Sequence, residues 1–222
     1  MLWAATGIAW ALIFLGGADQ LASNTFIDRK ADGSAAPDAL FEYVSSHHGV
    51  IGVLLVTLAI ANVLFVVFGA YLASRARHSM RRSWLPLVAV VLAALATLPF
   101  WFADLGTASI WFATYGGARA DGYRWISSTI DGLLPFGAPL LVIYIGLVAY
   151  LFRGSGALPN WVSWFSWAVA VIAVIFSGLS ILNRASGAIP FFSVLLWTVI
   201  VSATAAWSAW RQGGAAYRKI PD

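Results

Sequence analysis

The chain has 222 residues, of which 61% are hydrophobic and only 10% charged, with a formal net charge of +4 and no cysteine. Soluble domains carry about 25% charge, so this composition cannot build a water-facing shell. Disulfides, thiolate metal sites and cysteine nucleophiles are excluded. A nucleic-acid partner is excluded too, because the bases that give a pI near 9.7 sit at the ends of apolar stretches rather than in one cluster.

A bilayer core about 30 Å thick needs about 20 apolar residues per helix. The sequence predicts an all-α, polytopic transmembrane bundle of six spans in one domain covering 1–222. The first span is Leu2–Ala18. Its start, Met1–Trp3, lacks the positive charge of a signal peptide and no clear small-x-small cleavage site precedes a polar mature start, so an uncleaved helix is expected. Pro37–His48 has helix-start chemistry, with Pro37 suited to a first turn and Asp38 to its dipole. It either extends the second span or lies on the membrane surface.

The second span, Gly49–Ser74, contains Asn62 and the small pair Gly69/Ala73, which suggests close helix contact. The third is Trp84–Ala103, ending at Asp104. Ser109–Asp131, rich in aromatics and glycine, reads as a partly helical interfacial cap. The fourth, Leu133–Phe152, carries Pro135 and Pro139. Ser155–Asn160 is a Gly/Pro turn into the fifth, Trp161–Leu182, and Ile189–Trp210 is the sixth.

Charge sets the orientation. Arg75, Arg77, Arg81, Arg82, Arg153, Arg211, Arg218 and Lys219 fall on one side, with Asp222 as the only acid there. Asp19, Asp28, Asp32, Asp38, Glu42, Asp104, Asp121 and Asp131 fall on the other, diluted by five bases. Positive loops stay cytoplasmic, so both termini are expected inside a bacterial plasma (inner) membrane. Trp84, Trp161, Trp164, Trp207 and Trp210 at the inner ends, and Trp101, Trp111 and Trp125 at the outer ends, agree with that frame.

With these boundaries no span has a Lys, Arg, Asp, Glu or His in its middle third. That argues against relays of buried charge. Asn62 is the most polar side chain deep in a span, either an interhelical hydrogen bond or part of a pathway. Ser193, Thr198, Ser202 and Thr204 invite the same two readings. If the fourth helix continues through Pro135 and Pro139, the carbonyls of Asp131 and Pro135 lose their helical donors. Freed carbonyls can bind cations or substrates, whereas a proline in the first turn is merely favoured.

His47 and His48 lie at the outer mouth of the second span beside Glu42. Adjacent helical residues point about 100° apart, so the pair does not clamp one metal. One of the two, joined by Asp19, Asp104 or Asp131, would make a His/carboxylate site of the sort zinc accepts; the alternative is an interfacial pair bonded to carbonyls or headgroups. Arg184 is placed to pair with Asp104 or Asp131. No Gly-rich nucleotide loop, nucleophile elbow, HExxH or CxxC occurs, and no cofactor is implied.

The long outer loop after the first helix, the Arg-rich Ser74–Arg82 (SRARHSMRR) after the second and the connection Leu151–Trp164 (LFRGSGALPNWVSW) into the fifth carry a resemblance. The layout resembles a group of bacterial six-helix membrane proteins filed as a domain of unknown function, which implies a fold and no activity. An Ala/Gly/Arg/Trp-rich, Lys-poor composition fits a high-GC bacterium. The leading expectation is a non-catalytic protein: a small permease-like carrier of an apolar or amphipathic compound, or an accessory subunit of a membrane complex. Its partners would be the lipid bilayer and a membrane protein or a second copy. The alternative is an outer-face metal-dependent enzyme or metal-binding protein centred on His47 or His48.

Overall fold

The computed structural model describes residues 2–25, 39–79, 84–117, 124–182 and 188–217, with side chains described over 2–16, 41–77, 84–117, 125–126, 139–176 and 192–211. Among the described residues there are seven helices and no strand: α1 (Leu2–Thr25), α2 (Ala39–Ser46), α3 (His48–Ser79), α4 (Leu85–Tyr115), α5 (Arg124–Ser155), α6 (Asn160–Leu182) and α7 (Ala188–Tyr217). Three stretches are long and apolar enough to cross a membrane: His48–Arg77, Leu85–Tyr115 and Phe192–Arg211. Leu2–Gly16, Pro139–Ser155 and Asn160–Phe176 are shorter apolar helical stretches.

The helix ends follow local chemistry. Pro86 occupies the first turn of α4, where its missing N–H breaks no helical bond. α4 stops at Gly116 and Gly117, the latter at φ +69°, a conformation glycine adopts without steric cost. α5 stops in the same way at Gly156, φ +61°, whose N–H reaches the Phe152 carbonyl at 3.1 Å. α2 runs into α3 through His47 alone: His47 N–H donates to the Tyr43 carbonyl (3.1 Å), and Ile51 N–H to the His47 carbonyl (3.0 Å). Of the segment Pro37–His48, residues 39–46 thus form a short helix joined to α3, and residues 37–38 lie outside the described residues.

α4 and α5 are longer than the sequence predicts. Leu105–Tyr115 contains no Pro and only one Gly, so nothing breaks the helix at Asp104. Residues 109–115 and 124–131 of the expected cap are consequently the ends of α4 and α5. α4 also passes through Pro99, and α5 through both Pro135 and Pro139.

The chain divides into two compact units. The first comprises Met1–Ala11, Leu64–Ala96 and Ala138–Asp222; the second comprises Leu12–Val63 and Thr97–Gly137. In the first, Phe65, Phe68, Tyr144 and Trp197 are fully buried and meet edge to face, with ring centroids 5.6–6.4 Å apart. Backbones come close at Gly69, where a Cβ would lie 2.6 Å from that of Ala93. Ser163, Ser166, Thr198 and Ser202 are buried. Ser166 accepts the Trp197 indole N–H at 2.8 Å and donates to the Val162 carbonyl. The Arg75 guanidinium ties α3 to α7 through the Ala205 carbonyl (3.1 Å) and Ser208 Oγ (3.0 Å), and also reaches Tyr71 Oη.

The outward faces are apolar. On α3, Val50, Val53, Val56, Ile60 and Val63 are exposed, while Ile51, Leu54, Leu58, Ala61 and Asn62 are buried. On α4, Leu87, Val91, Leu95, Leu98, Phe102 and Leu105 face outward. Helices apolar on the outside, with hydroxyls and an amide inside, match a lipid solvent rather than water.

Candidate functional site

Within the second unit an amide and a carboxyl side chain meet between two apolar helices. Asn62 lies fourteen residues into α3, about 21 Å from His48, and Asp104 lies eleven residues before the end of α4, about 16 Å from Tyr115. Asn62 Nδ2 donates to Asp104 Oδ2 at 3.0 Å. Asn62 is 1% exposed, and its Oδ1 has no hydrogen-bond partner. Thr107, one turn along α4, is buried and donates to the Ala103 carbonyl.

This placement changes the reading of Asp104. The sequence puts it at the outer mouth of the third span. In the structure it is residue 20 of the 31 in α4, within a stretch apolar enough to cross a membrane. Asn62 and Asp104, assigned to different clusters by the sequence, form one pair. The statement that no span carries an ionisable residue in its middle third therefore does not hold for α4.

Aromatic packing closes the ends of the same two helices. The Trp111 indole N–H donates to the His48 carbonyl at 2.8 Å. The His48 ring lies 4.5 Å from that of Tyr115 and 6.5 Å from that of Trp111. Gly52 makes room for the indole, since a Cβ there would lie 3.2 Å from the Trp111 ring. His48 and Gly52 share a face of α3, four residues apart, as do Trp111 and Tyr115 on α4.

The two histidines part company. His47 stacks on Tyr43 at 4.5 Å, with Nδ1 2.8 Å from Ser46 Oγ and 3.1 Å from the Tyr43 carbonyl. The His48 Nδ1 is buried without a partner. Among the described residues, no three His, Asp or Glu side chains gather as metal ligands. Glu42 contributes its backbone carbonyl to Ser45 and Ser46. The side chains of Asp19, Asp131 and Pro135, and all of Asp28, Asp32, Asp38, Asp121 and Arg184, lie outside the described residues. In the last helix, Thr198 and Thr204 donate back to the carbonyls four residues before them, as packing hydroxyls do.

By class, then, this is a helical protein with, among its described residues, three helices long and apolar enough to cross a membrane and a part-buried pair of a buried amide and a half-buried carboxyl group. Comparison with protein-family models, curated proteins and solved structures returned no match.

Proposed function

We propose that the protein is a small permease-like carrier of an amphipathic compound whose polar head donates hydrogen bonds or is cationic, and that the head binds at Asn62 and Asp104. The protein is an integral membrane protein of six spans with both termini cytoplasmic, resident in a bacterial plasma membrane. The three shorter apolar stretches complete the six.

The Asn62–Asp104 pair carries this reading. A carboxyl group at the centre of a membrane helix costs about 2.5–3.5 kcal/mol even on the lower scales, so its presence marks a function. A pair retained only for packing would be mutually satisfied. Here the carboxyl group receives one donor, while the amide oxygen, on a residue 1% exposed, receives none. The surplus is of acceptors, and a ligand that brings donors fits it.

Uptake of a fluorescent alkylammonium dye into proteoliposomes tests the reading. Wild type should carry the dye, and Asp104→Asn should slow it by about tenfold, the equivalent of one hydrogen bond to a charged partner. Its melting temperature should stay near that of wild type. Wild-type liposomes no faster than empty ones would overturn the carrier reading. A second reading, an accessory subunit, draws on a shallow hollow on α7 lined by Ala203, Ala206, Trp207 and Trp210, which a neighbouring helix would fill. On that reading the dye stays outside and the protein purifies with a partner.

A further inference from the structure

Between α5 and α6, within the first unit, lies an open apolar groove of about 560 Å³. Gly146 forms part of its floor: a Cβ there would sit 3.7 Å from the Trp167 ring, in ordinary contact, so a larger side chain would fill the trough. Tyr150, Trp167 and Val171 line its walls. Gly146, Tyr150 and Arg153 are spaced i, i+4 and i+7 on α5, which puts Arg153 on the groove's face one turn beyond Tyr150. Trp164, Trp167 and Val171 are spaced i, i+3 and i+7 on α6. At the end of the groove so defined, the Arg153 guanidinium lies 5.1 Å over the Trp164 ring. Arg153 is exposed and has no carboxylate partner among the described residues.

We infer that this groove binds an anionic phospholipid, with an acyl chain in the trough and the phosphate on Arg153. The lining is apolar over roughly eight residues of each helix, about 12 Å, a length that suits a stretch of hydrocarbon chain and no compact polar ligand. The guanidinium fork at its end matches a phosphate bidentately. Tyr150, Trp164 and Trp167 supply the amphipathic rings found at headgroup level. Arg153 lies in the last turn of α5, on the side whose positive charge points to the cytoplasmic leaflet, where anionic lipids concentrate. The inference rests on membrane residence and not on the carrier reading, so dye flux and lipid retention can fail separately.

Native mass spectrometry of the full chain, released from nanodiscs of equal phosphatidylglycerol and phosphatidylcholine, tests it. Retained lipid should favour phosphatidylglycerol by about fivefold, the factor one basic residue near the headgroups confers. Arg153→Gln should bring the two lipids to parity and Arg153→Lys should keep part of the preference. Gly146→Leu should lose both lipids. Glycerol phosphate should displace nothing, which separates a lipid from a free phosphate. Parity in wild type, an undiminished preference in Arg153→Gln, displacement by glycerol phosphate, or a lipid-free dimer would overturn the inference. Should Gly146→Leu fail to fold, the Arg153 pair decides alone, because that exposed side chain can change without disturbing the core.

Discussion

At the scale of single residues, the structure rests its functional argument on a hydrogen bond between positions 42 apart in sequence. A double-mutant cycle measures it: Asn62→Leu, Asp104→Leu and the double variant should show a coupling of about 0.6–1.7 kcal/mol in detergent unfolding, the range for interhelical bonds in membranes. Zero coupling would remove the pair as a physical unit. Both residues were legible as polar in the sequence, but their pairing was not. A span boundary drawn at the first acidic residue turned Asp104 into a loop residue, and only the unbroken run Leu105–Tyr115 reveals that the helix continues. The adjacent histidines meet different tyrosines: His47 stacks on Tyr43 and His48 lies tilted against Tyr115, and His47, between α2 and α3, lies outside the helices whose 100° step the sequence argument used.

At the scale of helices, apolar length placed the expected spans in observed helices, with Trp84 one residue ahead of α4, while the ends of α4 and α5 are marked by glycines at positive φ that periodicity does not report. The Arg-rich segment after the second span shows a second limit. Sequence gave all four arginines one topogenic role, yet Arg75 also bridges α3 to α7. Arg75→Gln should therefore destabilise the fold by about 1.5–3 kcal/mol, the value of hydrogen bonds from a charged donor. Arg77→Gln, at an exposed position, removes the same charge and should change unfolding little. Equal effects in a denaturation series would reduce Arg75 to a charge like its neighbours. The prolines of α5 make a similar contrast. Each interior proline costs about 3 kcal/mol relative to alanine, so Pro135→Ala combined with Pro139→Ala should raise stability. If the freed carbonyls serve the carrier, dye uptake should fall in the same variant; undiminished uptake would leave the prolines as geometry alone.

At the scale of the whole molecule, the inside-out arrangement of the described helices, apolar outward and hydroxyl-bearing inward, and the segregation of acids from bases are independent observations that ask for the same solvent. The first depends on side-chain packing, the second only on composition along the chain, and a lipid bilayer accounts for both. The proposed orientation rests on the second alone and is open to a direct test, because the sequence has no cysteine to confuse labelling. Single cysteines replacing Ser79 and Ser155, at the ends of α3 and α5, should resist an impermeant maleimide in intact cells and react after permeabilisation. One replacing Ser34 should react from outside. Four-fold replacement of Arg75, Arg77, Arg81 and Arg82 by Asn should then give mixed labelling at Ser79, because the strongest retention signal is gone. The loss of the Arg75 bridge would lower stability in that variant, so it should be read beside Arg77→Asn, Arg81→Asn and Arg82→Asn combined with Arg75 retained. Labelling at Ser79 in sealed wild-type-like cells would end the model of six spans with both termini inside.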